Sequence, residues 1–228
     1  MDILVVLENN QGSLHRLSKE AIVGAQMLGD SVSAIVMGNG SGEIAAQLEG
    51  YDLEKVIIVD HELVRSYNAD GYSEVLKQVI ESSSPKMIVA GHTYQTRDFM
   101  PRVSAKLEIP FIPDIISFSD DGFIKQILNS KLNAKISSPS GQLILSFQSA
   151  AFSEEDMRPG SCQPEVFDAK LDPNNVRSIS EEPFQEAVGD VDLESAEILV
   201  SVGRGIEKEE NVPLAFELAK TMGADAVV

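Results

Sequence analysis

The chain has 228 residues, enough for one large domain or for one domain and part of another. Its 36 acidic residues outnumber 18 basic ones, and a formal net charge of −18 disfavours binding to nucleic acid or adsorption to an anionic membrane. Only 6% of the residues are aromatic, so the core must be built from aliphatic side chains, as it is in a buried parallel sheet.

The first half of the chain alternates aliphatic runs with stretches of helical periodicity. The aliphatic runs predict four buried strands, at residues 3–7, 32–37, 56–59 and 87–90. Apolar residues at helical spacing predict three helices, at residues 14–28, 43–48 and about 70–82. Ser13 is the expected N-cap of the first helix. This order of elements predicts an α/β fold with a three-layer, doubly wound and mostly parallel sheet.

The pattern loosens around Pro101, where we predict a helix from about Met100 to Leu107. Three β-like runs follow, at residues 115–118, 123–128 and 143–147. Asp121-Gly122 and Ser140-Gly141 lie between these runs and favour hairpin turns. We therefore expect an antiparallel extension at the edge of the sheet.

The composition divides the chain into three parts. Residues 1–152 form the predicted first α/β domain, and residues 153–192 an extended acidic connector rich in Pro and Ser. Residues 193–228 open with an aliphatic strand at 198–202, followed by a helix with Leu214 and Leu218 on one face. One βα unit and a short strand cannot bury a core of their own, so we expect the truncated start of an incomplete second α/β domain.

Several classes of site and location are excluded or disfavoured by simple counts. Cys162 is the only cysteine, and the three histidines match no metal-ligand spacing, so we expect neither a disulfide nor a metal site. The N-terminus begins a strand without a signal or transit sequence, and no apolar run approaches membrane-spanning length. We therefore expect a cytoplasmic protein without membrane insertion.

The loop Gly38–Gly42 is rich in glycine and follows a predicted strand. It does not match the dinucleotide fingerprint, because Glu43 stands where a glycine is needed, and it lacks the Lys-Ser/Thr pair of a P-loop. The carboxylate of Glu43 would also repel a phosphate. We interpret the loop as a turn between a strand and a helix.

The loop Gly91–Asp98 is the most polar stretch that follows a predicted buried strand directly. If that strand lies beside the first one, the loop faces residues 8–13 across a crevice, where doubly wound folds bind ligands. Thr93, Thr96 and Arg97 could then hold an anion. In the alternative interpretation, the charged residues of this loop only pair with neighbouring loops and fix the shape of the domain.

A hydrolase site would need a nucleophile, a base and an orienting acid. His92 near Ser104 or Asp98 is imaginable in that role, but nothing in the spacing favours it. We therefore predict no catalytic residues.

Gly203-Arg204-Gly205, between a strand and a helix, combines a cation with backbone that a phosphate or a ring could approach closely. Many α/β turns share that pattern.

Two stretches resemble the alpha subunits of electron-transfer flavoproteins. Members of that family usually have A-G-H-T, then G-R-D, then P-R-V-A-A-R-L. The segments that resemble these here are Ala90-Gly91-His92-Thr93, Thr96-Arg97-Asp98 and residues 101–107, with Thr96 where a Gly is common. The segment 200–205, followed by Glu210-Asn211, resembles the start of the family's flavin domain. The resemblance runs through the whole chain in order.

The resemblance implies a nucleotide-hydrolase-like first domain, the start of an FAD-binding domain, and an electron carrier rather than an enzyme. FAD would be contacted by Gly203, Arg204 and Gly205, while AMP would be held by a beta subunit. Acyl-CoA or other flavin dehydrogenases would supply the electrons. The family's later flavin-binding motifs are absent here, which places most of the expected FAD site beyond Val228. The alternative is a non-redox adenine-nucleotide-binding or structural docking module.

Overall fold

The computed structural model describes residues 2–10, 12–119, 121–137, 140–181, 198–224 and 226–227, the last two by their backbone. Contacts between residues divide the chain into two units, Met1–Ser180 and Glu181–Val228.

The first unit is an α/β structure. Its described strands are β1 (Ile3–Leu7), β2 (Asn9–Asn10), β3 (Ser13–Leu14), β4 (Val32–Met37), β5 (Val56–Val59), β6 (Met87–Gly91), β7 (Phe111–Ser119), β8 (Gly122–Ile127), β9 (Leu132–Ile136), β10 (Leu143–Phe147) and β11 (Pro164–Val166). Its described α-helices are α1 (Arg16–Leu28), α2 (Ser41–Ala46), α3 (Ala69–Ser83) and α4 (Tyr94–Leu107). The four strands predicted in the first half are confirmed, the last of them longer by one residue.

Nine strands form one sheet in the order β11-β5-β4-β1-β6-β10-β7-β8-β9. The strands from β11 to β7 are parallel, and β8 and β9 continue the sheet in antiparallel pairing. The predicted fold class is therefore confirmed: a mostly parallel, doubly wound sheet with an antiparallel extension.

The core lies in two layers because successive residues of a strand face opposite sides of the sheet. Ile3 and Val5 pack in one layer with α1, while Leu4 and Val6 pack in the other with α3 and α4. Strands that are buried on both faces cannot alternate between apolar and polar residues. This is why the sequence of β1 is apolar throughout.

The strand at residues 143–147 lies where the sequence did not predict it. We expected it in the antiparallel extension, but β10 lies in the interior of the sheet, parallel to both β6 and β7. All five of its residues are buried; four are apolar, and the hydroxyl of the fifth, Ser146, is hydrogen-bonded to His92. Its place in the extension is taken by β9, which has exposed and half-buried residues and was not predicted.

Three helices begin at positions other than the predicted ones, and one of them, α2, spans Ser41–Ala46 instead of residues 43–48. The N-cap of α1 is His15, whose Nδ1 accepts a hydrogen bond from the Leu17 amide at 3.1 Å, while Ser13 pairs with Asn10 in a short hairpin. Helix α4 begins at Tyr94 rather than near Met100, so Pro101 lies inside the helix instead of in its first turn. A proline usually marks a helix start or break, and here it hid the true start.

Most of the described part of the predicted connector, residues 153–180, belongs to the first unit. Met157, Cys162 and Ala169 are buried, and β11 pairs with the edge strand β5. The chain therefore crosses from one face of the sheet to the other around this edge, with apolar anchors that the acidic sequence did not reveal. The predicted domain limits at residues 152 and 192 stay predictions.

The described residues of the second unit include β12 (Leu199–Val200), α5 (Val212–Met222) and β13 (Ala226–Val227), with two short 3-10 turns between β12 and α5. The two strands pair in parallel, and α5 connects them. Pro213 lies in the first turn of α5, and Gly223 ends the helix in the left-handed conformation with φ of 69°.

Candidate functional site

The turn Gly203–Arg204–Gly205 lies in the second unit between β12 and α5. Gly203 precedes a single 3-10 turn, Arg204–Ile206, in which the Ile206 amide donates to the Gly203 carbonyl at 3.0 Å. The turn lies at the carboxyl end of β12, where α/β folds commonly bind ligands. The strand and the helix therefore position all three residues that the sequence singled out.

The two glycines leave the backbone of this turn open to approach. A Cβ atom added at Gly203 or at Gly205 would meet no atom within 4 Å. Arg204 is exposed and forms no ion pair with any described residue. A charged guanidinium between two accessible peptide groups can bind a phosphate or lie against an aromatic ring.

A concavity of about 500 Å³ adjoins the turn within the second unit. Its lining is mostly apolar and consists of Val200, Ser201, Val202, Gly203, Gly205, Ile206, Leu214, Ala215 and Leu218. A mostly apolar concavity with a few polar groups is typical of a site for a ring-containing ligand.

Sequence reasoning missed several of these lining residues. Ser201 follows β12 directly, and its position at a strand end was the available signal. Leu214 and Leu218 were expected on one face of a helix, and the structure turns that face toward the concavity. Helical periodicity identifies an apolar face but does not tell whether that face meets a core or a ligand.

The structure supports the strand order that the crevice hypothesis requires, but not the anion site that the hypothesis placed there. Strand β6 does lie beside β1, as the hypothesis required. Thr96, however, is buried, and its amide and hydroxyl both bond to the Thr93 hydroxyl. Arg97 is exposed and lies over the Tyr94 ring at 5.5 Å from its centroid. The three residues therefore do not converge as an anion cradle.

Gly91 also limits the room at this end of the sheet. A Cβ atom at Gly91 would lie 2.6 Å from Leu17 Cβ and 2.9 Å from the Leu17 carbonyl oxygen. Helix α1 therefore packs directly on the end of β6. The glycine serves this close packing rather than a ligand.

His92 does not assemble a hydrolase site with either predicted partner. Its Nδ1 hydrogen-bonds with the Ser146 hydroxyl at 2.8 Å, and its Nε2 lies 4.0 Å from an Asp114 carboxylate oxygen. Burial lowers the pKa of His92, and the charges of Arg97 and Lys125 lower it further, against the opposing effect of Asp114. Ser146 is fully buried, so the arrangement holds strands together rather than presenting a nucleophile.

The two partners proposed for His92 are engaged elsewhere. The Ser104 hydroxyl donates to the Ile109 carbonyl at 2.6 Å, at the end of α4. An Asp98 oxygen accepts from the Tyr67 hydroxyl at 2.8 Å, and the other lies 3.5 Å from Arg102. Asp98 therefore holds neighbouring elements together, as the alternative interpretation of its loop expected.

The loop Gly38–Gly42 forms the turn between a strand and a helix that the sequence suggested. Gly38 has a φ of 99°, and a Cβ there would lie 3.1 Å from the Val64 carbonyl oxygen.

The described residues contain no group of three potential His, Cys, Asp or Glu metal ligands. Among the same residues, no helix is long and apolar enough to cross a membrane.

Comparison with known proteins bears on both units. A family model described as electron transfer flavoprotein domain matches residues 3–172, and one described as electron transfer flavoprotein FAD-binding domain matches residues 192–228. The electron transfer flavoprotein subunit alpha of Bacillus subtilis is 31% identical over 97% of this chain and 70% of its own length.

Two further relatives come from distant organisms. The probable mitochondrial electron transfer flavoprotein subunit alpha of Caenorhabditis elegans is 28% identical over 97% of this chain and 67% of its own length. The acryloyl-CoA reductase electron transfer subunit beta of Anaerotignum propionicum is 28% identical over 99% of this chain and 72% of its own length. The similarity thus includes both the α/β unit and the turn around Arg204.

Proposed function

This chain belongs to the electron transfer flavoprotein family, and from that premise we propose that its turn Gly203–Arg204–Gly205 binds FAD. The chain is of the alpha-subunit type, and proteins of this kind are electron carriers rather than enzymes. The observation that carries the proposal is the position of the turn within the matched FAD-binding segment. The match to the FAD-binding family model, residues 192–228, includes both the open turn and the adjoining concavity.

The residues present fit part of a flavin dinucleotide. The apolar lining by Leu214 and Leu218 suits a ring, and the open peptide groups of the two glycines suit a pyrophosphate or a ring edge. The positive charge of Arg204 stabilises negative charge beside it, whether on phosphate or on a reduced ring. FAD supplies the electron-transfer chemistry when bound, and the protein holds it and adjusts its potential.

We further propose that the chain works as one half of a cytoplasmic heterodimer. Relatives named as alpha subunits support a beta-type partner, which would hold AMP and would dock on the first unit. Acyl-CoA or other flavin dehydrogenases are the proposed electron donors. The proposal is consistent with the net charge of −18, which favours docking to basic protein surfaces over binding to nucleic acid.

Co-expression with a beta-type subunit tests partner and cofactor together. We expect the two chains to co-purify and the complex to show the visible absorbance of bound flavin. A monomeric chain at micromolar concentration beside an excess of the beta-type subunit would contradict the heterodimer. A stable but colourless complex that takes up no added FAD would contradict the cofactor.

Two single-charge variants of that complex test the residue. At an effective dielectric constant of about 20, a charge about 4 Å away contributes roughly 4 kcal/mol, which solvent screening reduces to about 1–2 kcal/mol. Arg204→Gln should therefore weaken FAD binding roughly tenfold, since about 1.4 kcal/mol corresponds to tenfold. It should also lower the flavin potential.

Lys208→Gln is the matched control, because it removes one positive charge from an exposed residue of the same unit that does not line the concavity. FAD titration followed by fluorescence, with a parallel redox titration, measures both quantities. Equal effects of the two substitutions would show that net charge, rather than contact with Arg204, governs the affinity.

A further inference from the structure

The loop Gly38–Gly42, for which the proposed function has no use, contains a reactive dipeptide. Asn39-Gly40 is the only Asn-Gly pair in the sequence. Asn39 is exposed, and its side-chain amide makes no hydrogen bond with any described residue. That amide is therefore free to turn toward the following peptide group.

The backbone around the pair is fixed, with one exception. The Gly38 amide donates to the Val59 carbonyl at 3.1 Å, the Asn39 amide to the Arg65 carbonyl at 3.1 Å, and the Ser41 amide to the Gly38 carbonyl at 3.3 Å. Between them, the Gly40 amide has no acceptor among the described residues. The nitrogen that would attack the Asn39 side chain is therefore the one that the loop leaves unengaged.

Space at Gly40 also favours the reaction. Gly40 has a φ of 74°, and the nearest atom to a Cβ added there would be an oxygen of Glu43 at 3.7 Å. Most side chains at this position would be strained, and they would shield the amide nitrogen. The glycine instead leaves an open path from the Asn39 side-chain carbon to the nitrogen.

We propose that Asn39 is a site of spontaneous deamidation in the folded protein. A bond forms between the Gly40 nitrogen and Asn39 Cγ, the bond from Cγ to Nδ2 breaks, and ammonia leaves with the proton from the Gly40 nitrogen. A water molecule then opens the resulting succinimide ring at either carbonyl. The products are aspartate and isoaspartate at position 39.

The structure gives this modification a local consequence. Asn9 donates from its side-chain amide to the Asn39 carbonyl, which ties the β2–β3 hairpin to this loop. Isoaspartate lengthens the main chain by one carbon at that point and displaces the carbonyl. We therefore expect the hairpin to loosen in the modified protein.

The full chain, kept at mildly alkaline pH and 37 °C, provides the test. Peptide mapping by mass spectrometry and labelling with an isoaspartyl methyltransferase follow each asparagine over time. Asn129, exposed and followed by Ser130, is the internal comparator. We expect Asn39 to react fastest, and amide hydrogen exchange at residues 9–14 to accelerate in the modified fraction.

Matched variants and an unfolded sample make the outcome decisive. Asn39→Gln should stop most of the isoaspartate formation, while Asn129→Gln should leave the rate at Asn39 unchanged. A rate at Asn39 no higher than at Asn129 would overturn the proposal. So would a reaction that proceeds in concentrated urea but is abolished in the folded chain, because the loop would then protect the site.

Discussion

The two units differ in how their apolar residues are used. Among the described residues, every buried apolar side chain belongs to the first unit except Ala215 and Ala219. In α5 of the second unit, four large apolar side chains are more than half exposed: Leu214, Phe216, Leu218 and Met222. The difference teaches that an apolar helix face becomes a core only when another layer covers it. The first unit has such layers on both faces of its sheet.

The largest expected contrast concerns single apolar side chains. Phe147 of β10 is 1% exposed, and its ring centroid lies 4.7 Å from that of Phe152. Phe147→Ala should cost about 3–5 kcal/mol of unfolding free energy, because it leaves a cavity in close-packed surroundings. Leu218→Ala in α5 should cost less than about 1 kcal/mol, because half of that side chain already faces solvent.

Urea unfolding followed by circular dichroism measures both changes, with the slope of the transition checked for constancy. A loss of stability for Leu218→Ala as large as that for Phe147→Ala would break the comparison. It would mean that the apolar face of α5 is covered in solution.

A second contrast compares two glycines. Gly91→Ala brings a methyl group against the backbone of Leu17 and should cost about 1–3 kcal/mol, since α1 must move away from β6. Gly205→Ala meets open space and should change stability by less than about 0.5 kcal/mol. Thermal unfolding of both variants beside the parent chain decides the point. If Gly91→Ala is harmless, the packing of α1 against β6 is looser than the structure indicates.

The smallest expected effect is a pH dependence of the folding stability, which arises from His92 in the first unit. The folded state holds the pKa of His92 below its ordinary value of 6.5, so the unfolded chain binds a proton more readily. Stability should therefore fall as the pH drops below 6.5 and should be regained above it. The variant His92→Gln should lose part of this slope. Unfolding curves between pH 5 and 8 measure the change of unfolding free energy with pH. Equal pH slopes for parent and variant would contradict the prediction.

The sequence predicted those parts of the fold that local periodicity determines. Ile3–Leu7 and Val32–Met37 were found at their predicted bounds because a strand buried on both faces is apolar along nearly its whole length. The position of β10 between β6 and β7 was not predictable in this way. An apolar run shows that a strand is buried, but it does not name the neighbouring strands.

Other errors arose where one residue type serves two purposes. Pro101 suggested a helix start, yet α4 accommodates it in its interior. Cys162 and Ala169 in the acidic connector are too few and too widely spaced to signal burial, although the structure buries both. For the candidate site, the glycines around Arg204 indicated an open turn. The lining by Ser201 and Leu218 required the three-dimensional arrangement.

The interior place of β10 has a consequence for how the chain folds. Its neighbours β6 and β7 are both made earlier during synthesis, and β8 and β9 are made before it as well. The parallel part of the sheet therefore stays incomplete until residues 143–147 insert between β6 and β7, which are already synthesised. Pairing between residues so distant in sequence is slow, and the open edges of β6 and β7 stay available to other chains meanwhile. The first unit should thus fold late in translation, with a window in which chaperone binding competes with aggregation.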